Sequence, residues 1–408
     1  MRSIMRRVVI TGIGVVSALG GNQSEFWDRL RSGEAAIGPI TKVDTSDLRF
    51  KNAAEVRDFD AADHFDDRLQ TLLDPFAQYG LAAAREAITS AGIEFDDLLR
   101  DRTGVVTGSC LGGKMTEDGL FYDLYAKHRS RVPPIAIPRS MSNAVASHIS
   151  MEFGITGPAF TLSTACSSSN HAIGQAYWLI RQGTIDAAVT GGSEAPMTYG
   201  NLKAWEAMRV VSPDTCRPFS RDRAGMIIGE GGAMFFLEEL STAIDRGANI
   251  FAEIAGFGMS ADAHHVTLPN AKGAAKAIRR ALDDGHMDPA EVGYINAHGT
   301  GTAANDVMES QAIRLVFGDH TDDLPVSSTK SMHGHALGAA GAIEAAATIL
   351  ALQNGVLPPT ANFNENDDEC SINVIKNILL FRSTNAAISN SFAFGGLNAV
   401  LAFRRWKG

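Results

Sequence analysis

Three stretches of the first half recur in the same order in the second. Ile10-Thr11-Gly12-Ile13-Gly14 matches Ile254-Ala255-Gly256-Phe257-Gly258. Ser163-Thr164-Ala165-Cys166 through His171-Ala172-Ile173-Gly174 matches Ser328-Thr329-Lys330-Ser331 through His335-Ala336-Leu337-Gly338, with one gap. Gly231-Gly232-Ala233-Met234-Phe235-Phe236 matches Gly395-Gly396-Leu397-Asn398-Ala399-Val400. The last two pairs share nearly one offset. The first is wider because the first half carries insertions. A chain that repeats itself in this way is expected to fold as two similar αβ halves packed together. Equivalent strand-to-helix junctions then face each other near a pseudo-twofold axis. That places His335 beside Cys166.

The first of these junctions is the stretch Phe160–His171. A strand-like run ends at Ser163-Thr164. Cys166 and three serines follow, and then a helical pattern through Ala172, Ile173, Ala176, Tyr177, Leu179 and Ile180. Cys166 is therefore expected at a helix N-terminus, where free N–H groups and the helix dipole favour a thiolate nucleophile. A small buried residue packing a helix start would read the same way.

The remainder of the chain narrows the choice. Net charge is −10 over 408 residues, which argues against a general nucleic-acid surface. The four cysteines, Cys110, Cys166, Cys216 and Cys370, have neither CxxC nor metal-ligand spacing, so a reducing cytoplasm and no bound metal are expected. The basic start Met1–Arg7 before apolar Val8–Leu19 could pass for a leader. Its recurrence near Ile254 favours a buried strand, Val8–Thr11, running into a Gly12-Ile13-Gly14 turn. No apolar run is long enough for a membrane span. Met226–Leu237 reads as two short strands about Gly229–Gly232.

Two histidine motifs lie in the second half. Asn296-Ala297-His298-Gly299-Thr300-Gly301-Thr302 is a glycine-spaced loop after a strand. Lys330-Ser331-Met332-His333-Gly334-His335 is expected to open a helix that carries Glu344. Neutral imidazoles can donate to a developing anion or shuttle protons. A backbone N–H at Phe394, in Asn390-Ser391-Phe392-Ala393-Phe394-Gly395-Gly396, could pair with that of Cys166 to cradle an oxyanion.

Taken together, Ser-Thr-Ala-Cys-Ser-Ser-Ser, Asn-Ala-His-Gly-Thr-Gly-Thr, Ser-Thr-Lys-Ser-Met-His-Gly-His and Ser-Phe-Ala-Phe-Gly-Gly-Leu-Asn resemble the β-ketoacyl-[acyl-carrier-protein] synthases of the elongating type. Nearly the whole chain is covered. The resemblance implies an α/β, thiolase-like fold, with five αβαβα layers and halves at 1–251 and 252–408. It implies an acyltransferase of class EC 2.3.1 that condenses an acyl thioester with malonyl-carrier protein, releasing CO2, in fatty acid or specialised polyketide biosynthesis. By the same resemblance Cys166 carries the acyl chain. His298 and His335 promote decarboxylation, and Lys330 and Glu344 order them. Cys166 and Phe394 form the oxyanion hole, with the Phe394 ring as a gate. Thr300 and Thr302 hold the 4′-phosphopantetheine arm of the acyl carrier protein, and no free cofactor is implied.

The finer likeness is to nodulation-type and type II polyketide ketosynthases. Leu111 falls where the family sets acyl-pocket depth. Trp205 falls where housekeeping members have a smaller aromatic. Arg129, Arg131 and Arg209 match carrier-protein contacts, but Asp63, Asp66 and Asp67 stand in a region that is usually basic. The expected partners are an acyl carrier protein and a second subunit, either a copy of the chain or a related ketosynthase-like chain. Two rivals remain. A non-catalytic chain-length-determining subunit would lack the nucleophile. A CoA-dependent thiolase would need a second cysteine where Phe394-Gly395-Gly396 stands. A dinucleotide fingerprint is absent, since Gly12-Ile13-Gly14 is followed by Ser17.

Overall fold

The computed structural model describes residues 5–408; residues 1–4, the start of the basic segment, lie outside the described residues. Ten strands form one hydrogen-bonded series. In chain order they are β1 (Val8–Ser17), β2 (Thr103–Gly108), β3 (Ala159–Leu162), β4 (Ala187–Glu194), β5 (Gly231–Glu239), β6 (Ala252–Ala261), β7 (Ile295–Asn296), β8 (Val326–Ser327), β9 (Ala386–Ala393) and β10 (Leu397–Arg405). The lateral order is β8-β7-β9-β10-β6-β1-β5-β4-β2-β3. Outward from the centre, the first five strands run 1-5-4-2-3 and the last five 6-10-9-7-8, which is the same order twice.

The strand directions repeat as well. β2 is parallel to β3 and β4, while β5 is antiparallel to β4 and β1. β7 is parallel to β8 and β9, while β10 is antiparallel to β9 and β6. The two groups meet only where β1 pairs with β6, at Val8–Ile254, Val9–Glu253 and Ile10–Ala252.

Five helices complete the layers: α1 (Pro75–Ala91), α2 (Ser168–Arg181), α3 (Ala271–Asp284), α4 (Ala303–Phe317) and α5 (Ala340–Asn354). α1 covers the outer face of β1, β4 and β5; α3 covers β6 and β10, with α4 beside it. α2 and α5 touch each other and reach strands of both groups, so they form the middle layer of an αβαβα stack. Their sequences suit that place. Every residue from Ala340 to Leu352 is buried, as befits a helix that is apolar on all faces apart from Glu344 and Thr348. No helix among the described residues is long and apolar enough to cross a membrane.

The structure corrects three readings of the sequence. Gly12 and Gly14 do not make a turn; they lie inside the ten-residue strand β1. A Cβ on Gly12 would sit 1.9 Å from the Ala87 carbonyl oxygen, and one on Gly14 would sit 2.0 Å from that of Ala83. In the second half Gly256 and Gly258 approach Ala281 and Ala277 of α3 in the same way, at 2.2 Å each. The repeated glycines record helix–strand contact too close for any side chain. Next, Met226–Leu237 does not form two strands. One strand begins at Gly231, and the segment before it makes isolated bridges, among them Ile228 to His335. Finally, Lys330 and Glu344 are not on one helix. A single turn, Lys330–His333, ends at Gly334 (φ 69°), and the His335 N–H turns away to donate to the Ile227 carbonyl at 2.7 Å. α5 starts afresh at Ala340.

Gly14→Ala should destabilise the protein by about 1–3 kcal/mol through overpacking against α1. Gly119→Ala, at an open helix position, should be neutral or stabilising by up to about 1 kcal/mol. Chemical denaturation of the two variants checks this; equal stabilities would contradict the packing argument.

Candidate active site

Cys166 sits two residues before α2, on a sharp turn in which Ala165 takes a left-handed φ of 52°. The serine run holds this turn. The Ser167 hydroxyl donates to the Thr164 carbonyl at 2.9 Å, and that of Ser168 donates to the Ala165 carbonyl at 2.6 Å. The third serine works between the halves, as Ser169 Oγ accepts the Ala342 N–H of α5 at 2.9 Å.

The glycine-spaced loop after β7 presents His298. Its geometry is set by a residue the sequence reading missed. Glu309, buried on α4, accepts the N–H groups of His298 and Gly299 at 2.8 and 2.7 Å, and its Oε1 also accepts from Asn390 at 3.1 Å. Asp306, one turn earlier, accepts the Gly301 N–H at 3.2 Å. Acidic residues on the helix that follows the loop were the available signal. Thr302 caps that helix, and Thr300 and Thr302 share a 2.9 Å hydroxyl contact.

Lys330 is wholly buried. Its ammonium has three acceptors for three protons: the His298 carbonyl at 2.6 Å, His298 Nδ1 at 3.3 Å and the Glu344 carboxylate. Burial pushes the Glu344 carboxyl up to about 7, with Lys330 opposing. Burial, and then the Lys330 charge, holds both His298 and His335 far below the usual imidazole range, so both are neutral. His335 Nδ1 accepts the Leu337 N–H at 3.2 Å. Each ring therefore has its Nδ1 occupied as an acceptor. Each must carry its proton on Nε2, and both act as donors from that nitrogen.

Cys166, His298 and His335 converge, with one ligand-type atom from each lying within 4.8 Å of the others. The two rings meet edge-on at 5.4 Å. A cysteine and two histidines could be taken for a zinc site, but a metal-bound histidine donates from its second nitrogen. Here the second nitrogens face donors, so the set suits an anion. Asn296 Oδ1, Ser389 Oγ, Ser391 Oγ and Glu344 Oε2 are buried without hydrogen-bond partners.

The thiol departs from expectation. Burial pushes Cys166 up to about 11, against the lowering effects of Lys330 and of the N–H groups of Phe394 and Cys166 itself. At rest it is a thiol, because burial outweighs the helix start. Those two N–H groups nonetheless converge on the sulfur.

A cavity of about 360 Å³ opens onto the three residues and is lined also by Thr300, Thr302, Trp205 and Phe394. The Trp205 and Phe394 rings stack at 6.2 Å. Exposed Arg209 stands on the same cavity lining, while Arg129 and Arg131 border a separate groove, where Arg129 pairs with Asp123 at 2.9 Å. Leu111 is not part of the cavity lining; its N–H is held by Glu194 at 3.2 Å.

Comparison with known proteins agrees with this geometry. Residues 5–243 match the beta-ketoacyl synthase N-terminal domain, and residues 251–364 match the C-terminal domain. The chain belongs to the β-ketoacyl synthase family. It is 45% identical to nodulation protein E of Rhizobium sp. (strain N33) and 39% identical to 3-oxoacyl-[acyl-carrier-protein] synthase 2 of Synechocystis sp., each over 98% of this chain and 99% of the relative. Among solved structures, the ishigamide ketosynthase/chain length factor superimposes with a TM-score of 0.95 at 36% identity, covering 99% of this chain and 100% of that one. A type II polyketide ketosynthase in complex with its acyl-carrier protein gives 0.90 at 29%, with the same coverage.

Alkylation of Cys166 by iodoacetamide should rise about tenfold per pH unit from about pH 7 to about pH 10, because only the thiolate reacts. Peptide mass spectrometry against pH reads this; a plateau near pH 8 would contradict a raised thiol pKa.

Proposed function

We propose that the protein is a β-ketoacyl-[acyl-carrier-protein] synthase that joins an acyl chain held on Cys166 to malonyl-carrier protein, releasing CO2 and 3-oxoacyl-carrier protein. The observation that carries this reading is the pair of neutral imidazoles, both presenting Nε2–H beside a buried thiol. In the first half-reaction Cys166 Sγ attacks the thioester carbonyl. The oxyanion accepts from the N–H groups of Cys166 and Phe394, and the pantetheine sulfur leaves, taking up the thiol proton. In the second, the bond from the malonyl α-carbon to its carboxylate breaks and CO2 departs. The electron pair becomes an enolate whose oxygen accepts from His298 and His335. The α-carbon then attacks the acyl carbonyl on Cys166, and the cysteine sulfur leaves, taking up a solvent proton to return to the thiol. No strong base is needed, since decarboxylation supplies the carbanion. The site has only to stabilise charge at one oxygen.

Lys330 and Glu344 keep His298 in the donating tautomer. Thr300 and Thr302, in the cavity wall, are placed to hold a phosphopantetheine arm. Trp205 and Phe394 narrow the approach to the thiol. Leu111, held away from this cavity, keeps a role in acyl-pocket depth only as an expectation from the family. A purely chain-length-setting subunit is not favoured, because nucleophile and both donors are present. A thiolase is not favoured either, since Phe394-Gly395-Gly396 offers no second cysteine.

The domain division at 251/252 is supported by the doubled strand order and by the two family models, the first of which ends at residue 243 and the second of which begins at residue 251. A dimer, with a second copy or a related chain, is supported by a helix, Lys114–Tyr125, that has no buried residue and exposes Phe121, Tyr122 and Tyr125. The exposed edge strand β3, with Phe160, adds to that support. An acyl carrier protein is the proposed substrate carrier.

Incubation with acyl-carrier proteins of varied chain length should add an acyl mass to Cys166. Cys166→Ala should abolish the adduct. His298→Ala and His335→Ala should keep the adduct while lowering condensation by about 10²–10⁴-fold. Absence of an adduct with every donor would refute the synthase reading.

Arg209→Glu should weaken carrier-protein binding more than Arg129→Glu, whose native charge is already paired with Asp123. Titration at low salt tests this, and unchanged affinity in both would remove these residues from the docking surface.

A further inference from the structure

We infer that Glu194 is a positioning residue for the condensation, clasping the loop Ser109–Leu111 of the first half to the turn of the second half that aims His335. The inference rests on the function proposed above and names a residue outside its cysteine–histidine set.

Glu194 is the last residue of β4 and is wholly buried. Its carboxylate accepts four hydrogen bonds. Oε1 takes the Ser109 hydroxyl at 3.0 Å and the Leu111 N–H at 3.2 Å. Oε2 takes the Cys110 N–H at 2.8 Å and, across the halves, the Gly338 N–H at 3.2 Å. The turn presses directly on it, since a Cβ on Gly338 would lie 2.5 Å from Oε2. The peptide group one residue earlier supplies the Leu337 N–H that occupies His335 Nδ1. Leu337 holds a left-handed φ of 49°, a conformation that an L-residue keeps only when its surroundings impose it. Glu194 supplies that restraint. Its oxygen anchors Gly338, which fixes the Leu337 peptide, which in turn sets the imidazole tautomer and so the Nε2–H that meets the enolate.

Glutamine cannot reproduce this arrangement. One of its two ends is an amide donor, so two of the four donors would face N–H instead of oxygen. The damage should fall on the half-reaction that uses His335. Acylation of Cys166 relies on the N–H groups of Cys166 and Phe394 and should be spared.

The test follows both half-reactions in the full-length protein. Acyl transfer from an acyl-carrier protein is read by intact mass, and release of CO2 and product from malonyl-carrier protein is read by turnover. Glu194→Gln should acylate at close to the wild-type rate while condensation falls about tenfold or more. Should that variant fail to fold, Glu194→Asp keeps the charge and shortens the reach, and should show the same split at smaller size. Parallel loss of both half-reactions in the folded variant, or loss of neither, overturns the positioning role and leaves the synthase reading intact. A wild-type protein that neither acylates nor condenses overturns both.

Discussion

A single ammonium group holds the reacting centre in register. Lys330 is fully buried, and ions placed there are destabilising by several kcal/mol unless every proton finds an acceptor. All three do, and the three acceptors lie on the His298 loop and on α5. The group therefore ties the buried His298 loop to the central helix layer. It selects the tautomer of one imidazole and adds to the burial that keeps both uncharged. Removal of the charge would leave Glu344 buried without a counter-ion and free the His298 ring to exchange its proton between nitrogens.

The architecture explains how so much polar chemistry can sit where water is scarce. Doubling one αβ unit brings two helix starts into the middle of the molecule. Backbone N–H groups at those starts and in the adjoining loops need acceptors, and buried carboxylates provide them. Glu309 serves the His298 loop and Glu194 serves the turn after His335. Ser169 closes the remaining gap between α2 and α5. The cysteine and histidine groups and the scaffold are thus parts of one hydrogen-bonded network, in which the N–H groups of the His298 loop and of the turn after His335 have acceptors before any substrate arrives.

Much of this was legible in the residues. The repeat foretold the doubled unit and the meeting of Cys166 with His335, because both depend on periodicity that tertiary contacts do not alter. Other features depend on what lies across the fold. The glycines of β1 resemble a turn in one dimension, and only the backbone of α1 behind them explains their lack of a side chain. The break at Gly334 was hidden because His335 leaves its helix for a partner more than a hundred residues earlier, Ile227. The protonated state of Cys166 went the opposite way to the helix-start argument, since burial is invisible in a local motif. Glu194 showed no signal of its own, as its partners are mostly backbone groups, and Glu309 offered only its place among the acidic residues of the helix after the loop.

The left-handed turn at Ala165 has a consequence for how the protein ages under heat. An L-residue held in that conformation stores about 1–2 kcal/mol of strain, and the serine hydroxyls around it keep the turn from relaxing. The aim of the sulfur is then maintained by the tightness of its surroundings. Loosening of the central layer would let the turn relax. The geometry around Cys166 in this sense depends on tight packing more than the bulk of the fold does, and function should fade while most of the structure still stands.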